Sequence, residues 1–293
     1  MNRLAYFIEA MRPHQWYKNL IVFIGIVFSK RILDASSWVD VFSVFFLLCM
    51  FSGVNYIIND IIDFKRDWAH PEKRKRPIAS GRIRKGDAVF GAAILFFVSS
   101  YWANLLGEIT FASFMVFFAT GLLYNLYLKN IFLVDIITIS ILFMMRAAIG
   151  VISMPGAVVS PWLILCTFLL SLLLALGKRR RELQVLKDDS IAHRRVLEHY
   201  SLEIITPLVI STLAMLFVSY CIYSVLTETG REMVITIPVI TYLFFRYTYI
   251  IFSGSDVAAN PERVFQDRGM LYGIILWILL VLVSLYVLPQ YNL

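Results

Sequence analysis

Stretches of about 20 predominantly apolar residues recur along the whole chain of 293 residues, each long enough to carry a helix across the hydrocarbon core of a bilayer. A backbone in hydrocarbon has no water to bond with, so such stretches satisfy their amide groups internally, as helices. Charged residues make up 16% of the chain, against about 25% in soluble domains, which is too few to coat a water-soluble fold of this size. The expected fold is therefore all-α and polytopic: one transmembrane domain over 1–293, with about nine spans and no soluble module attached. The approximate span limits are 17–35, 41–63, 87–106, 110–128, 131–153, 160–177, 204–226, 232–252 and 270–288. The N-terminal segment carries Arg3, Glu9 and Arg12 and lacks the pattern of a cleavable signal.

Orientation follows from the distribution of Lys and Arg. With the N-terminus in the cytoplasm, 22 of the 27 basic residues fall on the cytoplasmic side, and only Lys30, Arg31 and Arg231 on the other. The expected setting is a bacterial-type inner membrane, with N-terminus and site both cytoplasmic. Cys49, Cys166 and Cys221 lie inside apolar runs, with no second Cys or His at metal-ligand spacing, so neither a disulfide nor a zinc site is expected.

A basic face by itself is explained by topology and by attraction to anionic lipid. The position of the acids is not. Asp60, Asp63 and Asp67 are spaced i, i+3, i+7 at the end of the second apolar run, which places three carboxylates on one face of a helix. Asn55 and Asn59 lie on or beside that face. Like charges at the depth of a membrane helix end are costly and mark a functional site. Hard carboxylate oxygens suit Mg²⁺, which commonly bridges one or two carboxylates to substrate phosphates. Asp60, Asp63, Asn59 and Asp67 are the candidate metal ligands.

Directly downstream runs His70-Pro71-Glu72-Lys73-Arg74-Lys75-Arg76-Pro77-Ile78-Ala79-Ser80-Gly81. Acids followed by a basic loop make a clamp for a diphosphate, with metal on one side and Lys73, Arg74 and Arg76 on the other. No nucleophile paired with a base stands out, and His14, His70, His193 and His199 are assigned no proton-transfer role.

These residues resemble the UbiA-type intramembrane prenyltransferase superfamily. Its signature, an NDxxDxxxD helix end followed by a basic loop ending RPxxxG, is matched by Asn59, Asp60, Asp63, Asp67, Arg76, Pro77 and Gly81. The resemblance implies nine helices around a central cavity with polar caps on the cytoplasmic side. Aromatic-acceptor members usually carry a second DxxxD motif after the sixth span. Here Asp188 and Asp189 are adjacent instead, and the loop opens with Lys178-Arg179-Arg180-Arg181.

The chain is more similar to the branch of polyprenyl-phosphate phosphoribosyltransferases. The likeness runs through Arg12-Pro13-His14-Gln15-Trp16-Tyr17-Lys18-Asn19, the loop from His70 to Ala79, Lys129 with Asp135, Arg146-Ala147, Lys178-Arg179, Pro261-Glu262 and Asp267-Arg268. That branch implies attack of a polyprenyl phosphate of decaprenyl type on phosphoribosyl diphosphate, Mg²⁺ dependence and release of pyrophosphate, in the service of cell-wall biogenesis. Its implied partners are the two substrates and the bilayer, with no nucleic acid; the oligomeric state is left open, a homo-oligomer included.

Phosphoribosyl diphosphate is anionic at both ends of the ribose, so the arrays Lys73/Arg74/Arg76 and Lys178/Arg179/Arg180 suit its two ends, in either order. Lys129 or Arg146 is expected to meet a substrate phosphate or to pair with Asp135, and Arg12 and Lys18 to meet the lipid phosphate. Tyr124 sits near the same mouth. The competing readings are a prenyltransferase that moves a prenyl group from a prenyl diphosphate to an aromatic or other small acceptor, and a transporter; the latter lacks an internal repeat.

Overall fold

The computed structural model describes residues 3–186, 198–226 and 231–291, all of whose regular structure is helical. Asp188, Asp189 and His193 lie outside the described residues. Helix α1 (Arg3–Ala10) is followed by a 3₁₀ segment, Pro13–Phe23, and by the short α2 (Ile24–Phe28). Then come α3 (Ala35–Ile62), α4 (Phe64–Ala69), α5 (Lys85–Leu105), α6 (Glu108–Leu126), α7 (Val134–Ile152), α8 (Pro161–Leu186) and α9 (Leu202–Leu226), and finally α10 (Ile237–Phe252), α11 (Asp256–Ala259) and α12 (Arg268–Leu282).

Eight helices among the described residues are long and apolar enough to cross a membrane, from Ala35–Ile62 to Arg268–Val287. The protein is therefore an all-α, multi-pass membrane protein. The expected first span, 17–35, is the exception. Its apolar run is spent on the 3₁₀ segment and the five-residue α2, and ends in a turn at Lys30, whose backbone is left-handed at φ 56°. Pro13 starts the tighter 3₁₀ winding. Hydropathy reports the composition of that run but not its broken shape.

The chain divides into two compact units. The first comprises 1–131 and 145–159, the second 132–144 and 160–293. In the first, α3 is the hub, contacting α1, the 3₁₀ segment, α2, α5 and α6. Asp34 starts it by accepting from the Ser36 amide at 3.0 Å and from the Ser36 and Ser37 hydroxyls at 2.7 Å each. Phe51 of α3 stacks on Phe114 of α6 at 5.1 Å and meets Phe96 of α5 edge-on at 6.0 Å. The outer faces of α5 and α6 instead expose Phe90, Phe97, Tyr101 and Val116, as lipid contact requires.

In the second unit α8 packs on α9, and α10 on α12. Asp267 caps α12 through the Met270 amide at 2.9 Å and takes the guanidinium of Arg246 at 2.8 and 3.1 Å. The hydrogen bond from Arg246 holds the Asp267 carboxyl below the usual carboxylate range. Several hydroxyls inside the spans are satisfied by their own helices: Ser99, Thr120, Ser140, Ser219 and Thr248 each donate to the carbonyl four residues back. In hydrocarbon this local bond replaces water.

Gly150 on α7 lies against the 3₁₀ segment. A Cβ there would meet Val22 Cγ2 at 2.5 Å and the Val22 carbonyl oxygen at 2.6 Å. Because one obstacle is backbone, the segment itself must move. Gly150→Ala is therefore expected to lower stability by about 1–3 kcal/mol, the usual range for overpacking. The check is thermal unfolding in detergent; an unchanged midpoint would refute the close approach.

Candidate active site

Helix α3 ends at Asp63, whose amide donates to the Asn59 carbonyl at 2.9 Å. The chain continues almost helically, since the Asp67 amide donates to the Asp63 carbonyl at 2.8 Å before α4 closes at His70. The expected face survives this change of element. Asp60 and Asp67 are buried and Asp63 is half-buried.

Each acid is engaged by a cation of the first unit. Arg76 Nη1 donates to Asp60 Oδ1 at 3.1 Å and to Asp67 Oδ2 at 2.6 Å. Lys129 Nζ donates to Asp63 Oδ2 at 2.8 Å and to Asn59 Oδ1 at 3.2 Å. Arg12 Nη2 donates to Asp60 Oδ1 at 2.5 Å, and its guanidinium lies over the Tyr56 ring at 4.9 Å. The four oxygen donors thus fall into two pairs, Asp60 with Asp67 and Asn59 with Asp63, each pair sharing one nitrogen.

The basic loop is a held structure. His70 Nδ1 accepts from the Glu72 amide at 3.2 Å, and Ile78 is buried in a cluster with Met11, Val54, Ile57 and Ile83. Arg82 grips Glu9 of α1 through two bonds, 2.9 and 2.8 Å, and donates to the Lys75 carbonyl. Gly81 takes φ 75°, a left-handed turn that glycine adopts without cost. Arg76 is thereby presented to the acids, whereas Lys73 is half-buried and Arg74 is exposed.

One and two turns before Asn59 lie more polar groups of α3. Asn55 Oδ1 and Ser52 Oγ are buried without a protein partner. Gly121 of α6 leaves room for the Asn55 amide, because a Cβ there would stand 2.6 Å from Asn55 Nδ2. Asn125 donates to the Asn55 carbonyl at 3.1 Å. Tyr124, beside it, is half-buried. Lys18 is half-buried, with its ammonium 5.9 Å from the Tyr17 ring.

Arg146 and Lys129 both have partners within the first unit. Arg146 is buried in the first unit, where its Nε donates to Asn19 Oδ1 at 2.9 Å and its guanidinium faces Phe117 at 5.0 Å. Asn19 in turn donates to Cys49 Sγ at 3.3 Å. Lys129 is taken up by Asp63 and Asn59. Asp135, 0% exposed in the second unit, accepts from Arg179 Nε at 3.1 Å and from the Tyr200 hydroxyl at 2.6 Å, so both of its oxygens are occupied.

Arg179 also donates to Glu182 at 2.5 Å. Tyr200 accepts from the Leu133 amide at 3.1 Å, just where Leu133 adopts a left-handed φ of 64° at the entrance to α7. Burial, helped by the neighbouring Asp135 carboxylate, pushes the Tyr200 phenol well above its ordinary range. Of the array after α8's apolar stretch, Lys178 is exposed, Arg179 is buried and Arg180 donates to the Ile251 carbonyl at 3.1 Å. The sequence assigns no role to Tyr200, or to Asn19 within the stretch from Arg12, because their partners lie far off in the chain.

An acid cluster clasped by basic side chains thus sits at the end of a membrane-length helix. The chain belongs to the UbiA prenyltransferase family, whose profile matches residues 20–266. It is 27% identical to the decaprenyl-phosphate phosphoribosyltransferase of Corynebacterium glutamicum over 97% of this chain and 88% of that protein. With the protein of the same name from Mycolicibacterium smegmatis the identity is 28%, over 94% and 91%. The fold matches that of a UbiA homolog from Archaeoglobus fulgidus, solved with DMAPP and Mg²⁺, at a TM-score of 0.72 and 17% identity over 96% and 99% of the two chains.

Proposed function

We propose that this protein transfers the 5-phosphoribosyl group of phosphoribosyl diphosphate to a polyprenyl phosphate of decaprenyl type, with Mg²⁺ as cofactor. The observation that carries the reading is the near full-length likeness to two decaprenyl-phosphate phosphoribosyltransferases, with Asn59, Asp60, Asp63, Asp67, Arg76 and Lys129 inside the residues that the family profile matches. In the reaction the bond from ribose C1 to the diphosphate oxygen breaks, and an oxygen of the polyprenyl phosphate forms the new bond to C1. The products are a polyprenyl-phosphoryl ribose 5-phosphate and pyrophosphate.

The donor set fits Mg²⁺. Asn59, Asp60, Asp63 and Asp67 offer only hard oxygens, and the ion characteristically binds one or two carboxylates and takes its remaining ligands from water and substrate phosphates. When bound it neutralises charge building on the departing diphosphate. Arg12, Lys18, Lys73, Arg74, Arg76 and Lys129 bind and orient phosphate oxygens, with Arg supplying planar forks and Lys point charges. The unpartnered Ser52 Oγ and Asn55 Oδ1 offer hydrogen bonds to sugar hydroxyls. The nucleophile arrives as an anion, so no general base is needed, in keeping with a cluster that contains no histidine.

Tyr124, Arg146, Lys178, Arg179 and Asp135 complete the proposed machinery. Lys178 is the exposed cation of its array, while Arg179 and Asp135 support the backbone around it through their buried pair. The excess of Lys and Arg on one side supports a reading in which the site faces the cytoplasm across a bacterial-type inner membrane. A second reading, transfer of a prenyl group to an aromatic acceptor, draws on the family as a whole.

Mass spectrometry of the lipid product decides between them. Purified protein given phosphoribosyl diphosphate, decaprenyl phosphate and Mg²⁺ is expected to form a lipid heavier than its acceptor by one phosphoribosyl unit. An unmodified lipid under these conditions, with a prenylated aromatic acid formed from the alternative pair, would reverse the assignment.

A further inference from the structure

Outside the acid cluster, a groove of about 530 Å³ opens between α1, the end of the basic loop and the first turns of α5. Leu4 and Phe7 of α1 and Phe90 of α5 give it apolar walls, and Arg82, Arg84 and Asp87 supply its charges. Gly91 admits the Phe7 ring, since a Cβ there would stand 2.5 Å from Phe7 Cε2. Helix α5 is long and apolar enough to cross a membrane, so its first turns lie where hydrocarbon gives way to headgroups.

The two arginines differ. Arg82 is spent on Glu9, at 2.9 and 2.8 Å, and on the Lys75 carbonyl. Arg84 is exposed, and among the described residues no hydrogen bond or ion pair occupies its guanidinium. Lys85, the next residue, rests its ammonium on the Phe64 ring at 3.5 Å. Arg82, Arg84 and Lys85 thus stand against Glu9 and Asp87, which leaves one positive charge over.

The apolar wall continues beyond the groove. Phe90, Ile94, Phe97 and Tyr101 share one face of α5 at helical spacing, and all are exposed. At 1.5 Å per residue this strip runs about 16 Å, roughly the hydrocarbon depth of one leaflet. A soluble phosphate would use the arginine and leave the strip bare. A phospholipid uses both.

We propose that this groove binds an anionic phospholipid of the bilayer, with its headgroup phosphate on Arg84 and an acyl chain along Phe90, Ile94 and Phe97. Basic grooves beside membrane helices hold anionic headgroups by the same physics. The groove wall is also the end of the loop that carries Arg76. Ser80 Oγ donates to the Arg76 carbonyl at 2.7 Å, and the Ile83 amide to the Pro77 carbonyl at 3.1 Å. A bound lipid therefore braces the loop that presents Arg76 to Asp60 and Asp67.

The test is native mass spectrometry of the full-length protein in detergent, given equal amounts of dioleoyl phosphatidylglycerol and dioleoyl phosphatidylcholine. The two lipids share their chains and differ in headgroup charge. The wild-type protein is expected to retain phosphatidylglycerol in preference, and to unfold at a higher temperature with it than with phosphatidylcholine. Arg84→Gln is expected to weaken phosphatidylglycerol binding about fivefold, the worth of one cation near an anionic membrane surface. Arg84→Lys keeps the charge and should keep the lipid. Lys75→Gln removes an exposed charge of the same loop outside the groove and should leave binding unchanged.

Equal retention of the two lipids by the wild-type protein, or undiminished retention of phosphatidylglycerol by Arg84→Gln, would overturn the proposal. Equal losses in Arg84→Gln and Lys75→Gln would also overturn it, in favour of a general attraction to basic surface. Displacement of phosphatidylglycerol by decaprenyl phosphate, in the wild-type protein but not in Arg84→Gln, would assign the groove to a polyprenyl phosphate and overturn its assignment to a bilayer phospholipid.

Discussion

Asp60→Asn is expected to lower turnover by about 10²- to 10³-fold, the range seen when one preorganised electrostatic group is removed from a reaction centre. Asp60 is 2% exposed, ends the buried face of α3 and holds two arginines at once, at 2.5 and 3.1 Å. The amide keeps the shape and loses the charge. Arg76 then retains only Asp67, at 2.6 Å, and Arg12 loses its carboxylate. In the proposed reaction a ligand of the metal and the anchor of two phosphate-binding cations disappear together. Asp67→Asn is expected to cost less, about tenfold to 10²-fold, as is typical of groups that orient a ligand from behind. Initial rates of pyrophosphate release measure both effects. An Asp60→Asn protein that is folded and works at wild-type rate would show that the cluster is structural.

The second large effect concerns stability. Asp135→Leu is expected to destabilise the protein by about 3–5 kcal/mol, the cost of leaving one member of a buried ion pair without its partner. Asp135 is fully buried and Arg179 nearly so, and they meet at 3.1 Å. Without Asp135, the buried Arg179 guanidinium loses this carboxylate, and the Tyr200 hydroxyl loses its acceptor. Tyr200→Phe removes the hydroxyl alone and should cost about 1.5–3 kcal/mol, as for hydrogen bonds to a charged group. It also strips the Leu133 amide of its acceptor at a strained, left-handed position. The double variant Asp135→Leu with Arg179→Met should recover part of the loss, because no unpaired charge is then buried. Unfolding in a denaturing-detergent titration checks the series. A single Asp135 variant as stable as wild type would mean that water reaches Arg179 freely.

Much of this was readable before any coordinates, for physical reasons. Spans announce themselves because hydrocarbon demands long apolar runs, and eight of the nine expected runs are membrane-length helices. For the run at 17–35, apolar composition does not reveal a 3₁₀ segment opened by Pro13, or the close approach of Gly25 to Val151, whose Cγ2 would stand 2.8 Å from a Cβ at that glycine. The acid cluster was legible because i, i+3, i+7 spacing is local. Its counter-cations were only partly so. Arg76 follows in the next loop, but Arg12 lies 48 residues before Asp60 and Lys129 lies 66 after Asp63. Nothing in the spacing of Asp135 points to Arg179, 44 residues on, or to Tyr200, 65 residues on. Within the first unit, Lys129 reaches α3's acids and Arg146 reaches Asn19.

In the proposed transfer the donor is a sugar diphosphate and the acceptor a lipid phosphate. Pyrophosphate release by the purified protein tests it most directly, with phosphoribosyl diphosphate and decaprenyl phosphate in one mixture and a prenyl diphosphate with 4-hydroxybenzoate in the other. Each mixture is run with Mg²⁺ and with a chelator. The account predicts release in the first mixture alone, abolished by the chelator. Release in the second mixture alone would contradict it and make the protein a prenyltransferase of aromatic acceptors.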